Sequence, residues 1–149
     1  AVNYDAIPTG FGGSLFDFAT GDLDLDGDLD LAVGTNTGAV FILKGNGAGG
    51  FGAPSAVTEP VFARPTSLAI ADFNGNGLRD LAVVNFDSTI VTFLPGVGSG
   101  LFGARVDVNI KSRGLTPTVG DFNNDGKPDV AVAQSLSDSV AVVLNTTGG

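Results

Sequence analysis

The chain contains no cysteine, no histidine, no tryptophan and no methionine. Without cysteine there is no disulfide scaffold, and the redox compartment leaves no mark on the sequence. Without histidine or cysteine the usual base and nucleophile pairings of hydrolases are missing. The soft donors that select zinc or copper are missing too. No apolar run approaches the roughly 18 residues that a membrane-spanning helix needs. Cations are sparse: seven Lys and Arg stand against sixteen Asp and Glu, a net charge of −9. That balance argues against nucleic acid and anionic membrane surfaces as partners, since both are held by basic side chains; membrane insertion is not expected either, for want of a long apolar run. Methionine is missing even at position 1, which points to a processed product or an excised fragment.

What remains is a chain of 149 residues, enough for one domain with a real core. It is 43% hydrophobic, which excludes disorder by composition. Twenty-three glycines, seven prolines and no sustained helical periodicity predict many short strands joined by tight turns.

One nine-residue pattern recurs. It reads Asp22-Leu23-Asp24-Leu25-Asp26-Gly27-Asp28-Leu29-Asp30, then Asp72-Phe73-Asn74-Gly75-Asn76-Gly77-Leu78-Arg79-Asp80, then Asp121-Phe122-Asn123-Asn124-Asp125-Gly126-Lys127-Pro128-Asp129. The first residues of the three copies are 50 and 49 positions apart. Around each copy the same strand signals return. An alternating segment opens the repeat (1–7, 53–59, 104–110). A second strand enters the acidic loop (15–21, 67–71, 116–120). A near-continuous apolar run leaves it (29–33, 81–84, 130–133), as expected of a strand buried on both faces. After a turn comes a further strand (39–44, 89–94, 139–144), and glycine-rich corners follow at 45–52 and 96–103.

About four strands per repeat of roughly 50 residues is the size of a β-propeller blade. The expected fold is therefore all-β: one domain, 1–149, of three repeats at about 1–52, 53–103 and 104–149. A β-solenoid is the rival architecture, but it uses a shorter repeat. Three blades are too few for a ring. The last blade lacks its outer strand and residues 1–7 supply a spare one. Two chains are thus expected to combine into a six-bladed ring, each N-terminal strand completing the partner's last blade. The alternative is a fragment of a larger propeller.

Oxygen-bearing side chains at loop positions 1, 3, 5 and 9, with glycine at 6, suit a hard cation. The soft-metal alternative has no ligands here, and Mg²⁺ is less suited to a cage made of protein alone. The expected Ca²⁺ ligands, up to three ions per chain, are Asp22, Asp24, Asp26 and Asp30; Asp72, Asn74, Asn76 and Asp80; Asp121, Asn123, Asp125 and Asp129. Asp28, Leu78 and Lys127, at position 7, would give backbone carbonyls. An EF-hand would need an acid at position 12, where this chain has Val33, Val83 and Val132. Four acidic ligands in the first loop, three in the third and two in the second predict affinity falling in that order.

The loops, with Phe51-Gly52-Ala53-Pro54 and Phe102-Gly103-Ala104, resemble FG-GAP (or VCBS) repeats, the blades of integrin α-subunit propellers and related bacterial and fungal proteins. The resemblance implies Ca²⁺ between the first two strands of each blade and a secreted or cell-surface setting. The Phe-Gly corner is missing after Asn145. A non-catalytic recognition or adhesion module follows, with a protein or glycan ligand. A lectin with sugar sites between blades is the alternative; a non-catalytic part of a secreted enzyme is a third. Acids outside the loops, such as Asp5, Asp17 and Asp107, show no convergent spacing. Lys44, Arg64, Arg105, Lys111 and Arg113 are scattered and expected to be solvated, with Arg105, Lys111 and Arg113 able to form a small cationic spot.

Overall fold

The computed structural model describes residues 13–57 and 64–146. These form thirteen strands and no helix. In chain order they are β1 (Leu15–Gly21), β2 (Asp30–Thr35), β3 (Val40–Leu43), β4 (Ser55–Ala56), β5 (Pro65–Ala71), β6 (Asp80–Asn85), β7 (Ile90–Leu94), β8 (Gly96–Gly98), β9 (Leu101–Phe102), β10 (Val106–Asn109), β11 (Gly114–Gly120), β12 (Asp129–Gln134) and β13 (Ser139–Val143).

Three antiparallel sheets repeat one design. The first has the order β1-β2-β3-β4, the second β5-β6-β7-β10, and the third β11-β12-β13. The register repeats as well. Asp30 pairs with Gly21, Asp80 with Ala71 and Asp129 with Gly120, so each ninth-position aspartate opens the second strand of its sheet. Each first strand also carries an irregularity near its start, at Leu15/Asp17, Pro65/Ser67 and Gly114/Pro117.

The expected strands are present with small boundary shifts. Residues 53–59 and 104–110 do supply outer strands, β4 and β10, which close the sheet of the preceding repeat. Residues 1–7, expected to complete a partner's last blade, lie outside the described residues. The third sheet accordingly has three strands among the described residues. One expected corner is more ordered than its glycines suggest: β8 and β9 form a two-stranded ribbon, Gly96 opposite Phe102. The first corner holds only a single bridge, Gly45 to Phe51.

The core lies between the sheets. Ala32, Val40 and Ile42 of the first sheet meet Leu68, Leu81, Val83 and Leu94 of the second. Ala69, Ala82, Val84 and Val91 of the second meet Val130 and Val132 of the third. The middle strand β6 is buried along its whole length, which accounts for its unbroken apolar run. The faces at either end of the stack are different. Phe16 and Phe18 on the first sheet are exposed, as are Val140 and Val142 on the third.

Candidate metal centre

Each acidic loop joins the first two strands of its sheet, so the ladder holds both of its ends. Inside the loops the hydrogen bonds repeat almost atom for atom. The position-1 carboxylates accept from two successive amides: Asp22 from Asp26 and Gly27 (3.1 and 3.1 Å), Asp72 from Asn76 and Gly77 (3.1 and 2.9 Å), and Asp121 from Asp125 and Gly126 (3.1 and 2.8 Å). The position-3 oxygens of Asp24, Asn74 and Asn123 accept from the amide two residues on. So do those of Asp26, Asn76 and Asp125 at position 5. Nested Asx turns of this kind wind the backbone into a tight curl.

The curl needs left-handed backbone at two places. Gly27, Gly77 and Gly126 sit at φ 95°, 83° and 83°, as the glycine at position 6 foretells. Position 4 is left-handed too: Leu25 at 64°, Gly75 at 73° and Asn124 at 60°. Gly and Asn tolerate this region, whereas leucine pays about 1–2 kcal/mol there. The first loop is thus held in a strained form by its surroundings.

Asp30, Asp80 and Asp129 behave differently from the rest. All three are buried. One oxygen accepts the amide of loop position 2: Leu23 (2.8 Å), Phe73 (2.7 Å) and Phe122 (2.9 Å). The other accepts an amide just beyond the third strand: Gly45 (2.8 Å), Gly96 (2.7 Å) and Asn145 (2.7 Å). The ninth residue therefore clips the loop to the far end of the sheet. Space is tight around this clip. A Cβ at Gly45 or Gly96 would lie 2.2 or 2.3 Å from the carbonyl oxygen of Leu29 or Arg79. Burial raises the Asp80 pKa, opposed by amide donors from Gly96, Phe73 and Asn74.

In the first loop, oxygens of Asp22, Asp24 and Asp30 all lie within 4.8 Å of one another. An ion 2.3–2.6 Å from each ligand requires oxygens no more than about 5 Å apart, so this donor set fits calcium. Asp26 is outside that trio. Among the described residues no second trio of acids meets the same distance. The second loop has only Asp72 and Asp80, and its amides turn inward: Asn74 Nδ2 donates to Asp80, and Asn76 Nδ2 to the Gly96 carbonyl. In the third, Asn123 Nδ2 donates to Asp125 Oδ2 at 3.0 Å.

The profile of the FG-GAP-like repeat matches residues 22–83 and again 72–132. Each match spans two of these loops, and together they cover well over half of the chain. The chain belongs to the FG-GAP-like repeat family. No curated protein matches it significantly.

Three features of these FG-GAP-like repeats escaped the sequence. Lys44, expected to be solvated, places its ammonium 2.9 Å from Asp24. That hydrogen bond lowers the Asp24 pKa and raises that of Lys44. It also sets a cation of the protein itself against one residue of the converging acidic trio. Asp17 reaches across to the next sheet, accepting from the Ser67 hydroxyl (2.7 Å) and the Leu68 amide (3.0 Å). Arg64, also expected to be solvated, pairs with Asp87 and lies over the rings of Phe16 and Phe86.

Proposed function

We propose that the chain is a calcium-binding, non-catalytic recognition module of the β-propeller type. The convergence of Asp22, Asp24 and Asp30 carries this reading. Calcium would be held in each loop by positions 1, 3 and 5, the position-7 carbonyl and the position-9 carboxylate. Its chemistry here is structural: it neutralises clustered acids and fixes the hairpin between the first two strands. The family and the acidic oxygen-only loops favour a secreted or cell-surface setting, where calcium is abundant enough for weak sites. Protein or glycan surfaces are the ligand classes that such a platform suits.

One observation favours the glycan reading in particular. A cleft of about 530 Å³ lies between the second and third loops, lined among others by Asp72, Phe73, Asn74, Arg79, Lys127 and Asn145. It offers several hydrogen-bonding side chains, one part of the make-up of a sugar site, while Phe73 itself is buried in the core against Phe93. A glycan array probed in calcium and again in EDTA separates the readings. Calcium-dependent binding that Arg79→Ala abolishes is the outcome expected of a lectin. Silence on the array leaves protein recognition as the role.

A further inference from the structure

One position recurs just beyond the third strand of every sheet, and its first copy alone is charged. Gly45, Gly96 and Asn145 give their amides to the ninth-position aspartates. The residues before them are Lys44, Pro95 and Leu144. The second and third loops carry a cation within their own nine residues, Arg79 and Lys127. The first loop has five aspartates and no cation of its own. Lys44 is the only Lys or Arg in residues 1–52.

The backbone of Lys44 is fixed from both sides. Its carbonyl accepts from Gly52 at 2.8 Å, and the next amide, that of Gly45, donates to Asp30 Oδ1 at 2.8 Å. The following repeat walls its stem. A Cβ at Gly100 would lie 3.5 Å from Lys44 Cε, and the Gly100 amide donates to the Leu23 carbonyl of the first loop at 3.1 Å. The side chain thus runs between the first loop and the tip of the β8–β9 ribbon. Its ammonium meets Asp24 Oδ2 at 2.9 Å, and that carboxylate is only 11% exposed. Asp30 and Asp26 add their attraction to that of Asp24. Held by the chain, the ammonium acts as a monovalent ion at high local concentration.

We propose that Lys44 sets the calcium affinity of the first loop as a tethered competitor. Its ammonium lies on Asp24, and its charge opposes a divalent ion at the converging oxygens of Asp22, Asp24 and Asp30. This role rests on the calcium reading above. The first loop then joins the richest set of acids to a built-in brake. The neutral Pro95 and Leu144 supply no such brake to the other two.

Calcium titration of the full chain and of Lys44→Gln is the test, with Asp24→Ala marking the phase that belongs to the first loop. Lys44→Gln should tighten that phase at least ~3-fold in dilute buffer, because a unit charge beside a divalent ion is worth that much even in water. The other phases should not move. Lys44→Arg keeps the charge and should stay close to the parent. The gain should shrink in molar salt, where screening acts within about 3 Å. In EDTA, Lys44→Gln should lower the urea midpoint, since the acids lose a counter-charge. A lysine that merely packs against Gly100 would lower that midpoint too, but its loss would not tighten calcium. An unchanged or weaker first-loop phase, equal tightening of every phase, or an unmoved midpoint in EDTA would overturn the proposal while leaving calcium binding intact. A parent chain that takes up no calcium would overturn the calcium reading and this role together.

Discussion

Replacing Asp80 with alanine is expected to cost about 3–5 kcal/mol of folding stability, the combined penalty of leaving several buried amides without an acceptor at about 1–3 kcal/mol each. The carboxylate accepts amides from Phe73 and Asn74 in the loop and from Gly96 beyond the third strand. Without it those three donors lose their acceptor inside the structure, and each orphan carries a desolvation penalty. For a chain of this size the loss corresponds to a fall in Tm of roughly 10 °C. Asp72→Ala is the matched control. Asp72 also accepts three amides, from Gly75, Asn76 and Gly77, but on the exposed side of the loop, where water can replace it. Urea unfolding in EDTA makes the comparison. Equal losses for the two variants would mean that Asp80 is only a loop residue and no clip.

The second large effect is expected from calcium itself. A ligand that binds only the native state adds RT ln(1 + [L]/Kd), about 2.7 kcal/mol per site at a hundredfold excess over Kd. Filling the first loop alone should then raise Tm by several degrees, and filling all three should raise it by roughly 15 °C or more. The gain should be largest for the first loop, where three acids already converge and repel one another without a cation. Lys44 partly fills that role against Asp24. Scanning calorimetry in calcium, in magnesium and in EDTA reads the effect. Magnesium should give the smaller shift, since it parts reluctantly from its waters and demands stricter geometry. A melt that is the same in all three conditions would reduce the loops to ordinary Asx-rich turns.

Much of this architecture is legible in the sequence because the repeat ties three kinds of signal to one period. The apolar runs after Asp30, Asp80 and Asp129 are strands buried on both faces, and such burial writes itself as unbroken hydrophobicity. Gly27, Gly77 and Gly126 mark a backbone conformation that few residues other than glycine adopt freely. What stayed hidden was whatever depends on distance in the chain. A ninth-position aspartate reads as a ligand, and nothing in its neighbours shows that its carboxylate also binds an amide fifteen or sixteen residues away. Lys44 looks like any surface lysine until folding lays it on Asp24. Asp17 meets Ser67 only because consecutive blades stack face to face. Leu25 carries no signature of its left-handed backbone; only Gly75 and Asn124, at the same loop position, hint at it.

Calorimetric titration of the metal-free chain with calcium tests the central claim most directly. Saturable uptake approaching three ions per chain, with the tightest phase removed by Asp24→Ala, is the predicted result. A chain that takes up no calcium, or whose tightest site survives that substitution, would contradict it.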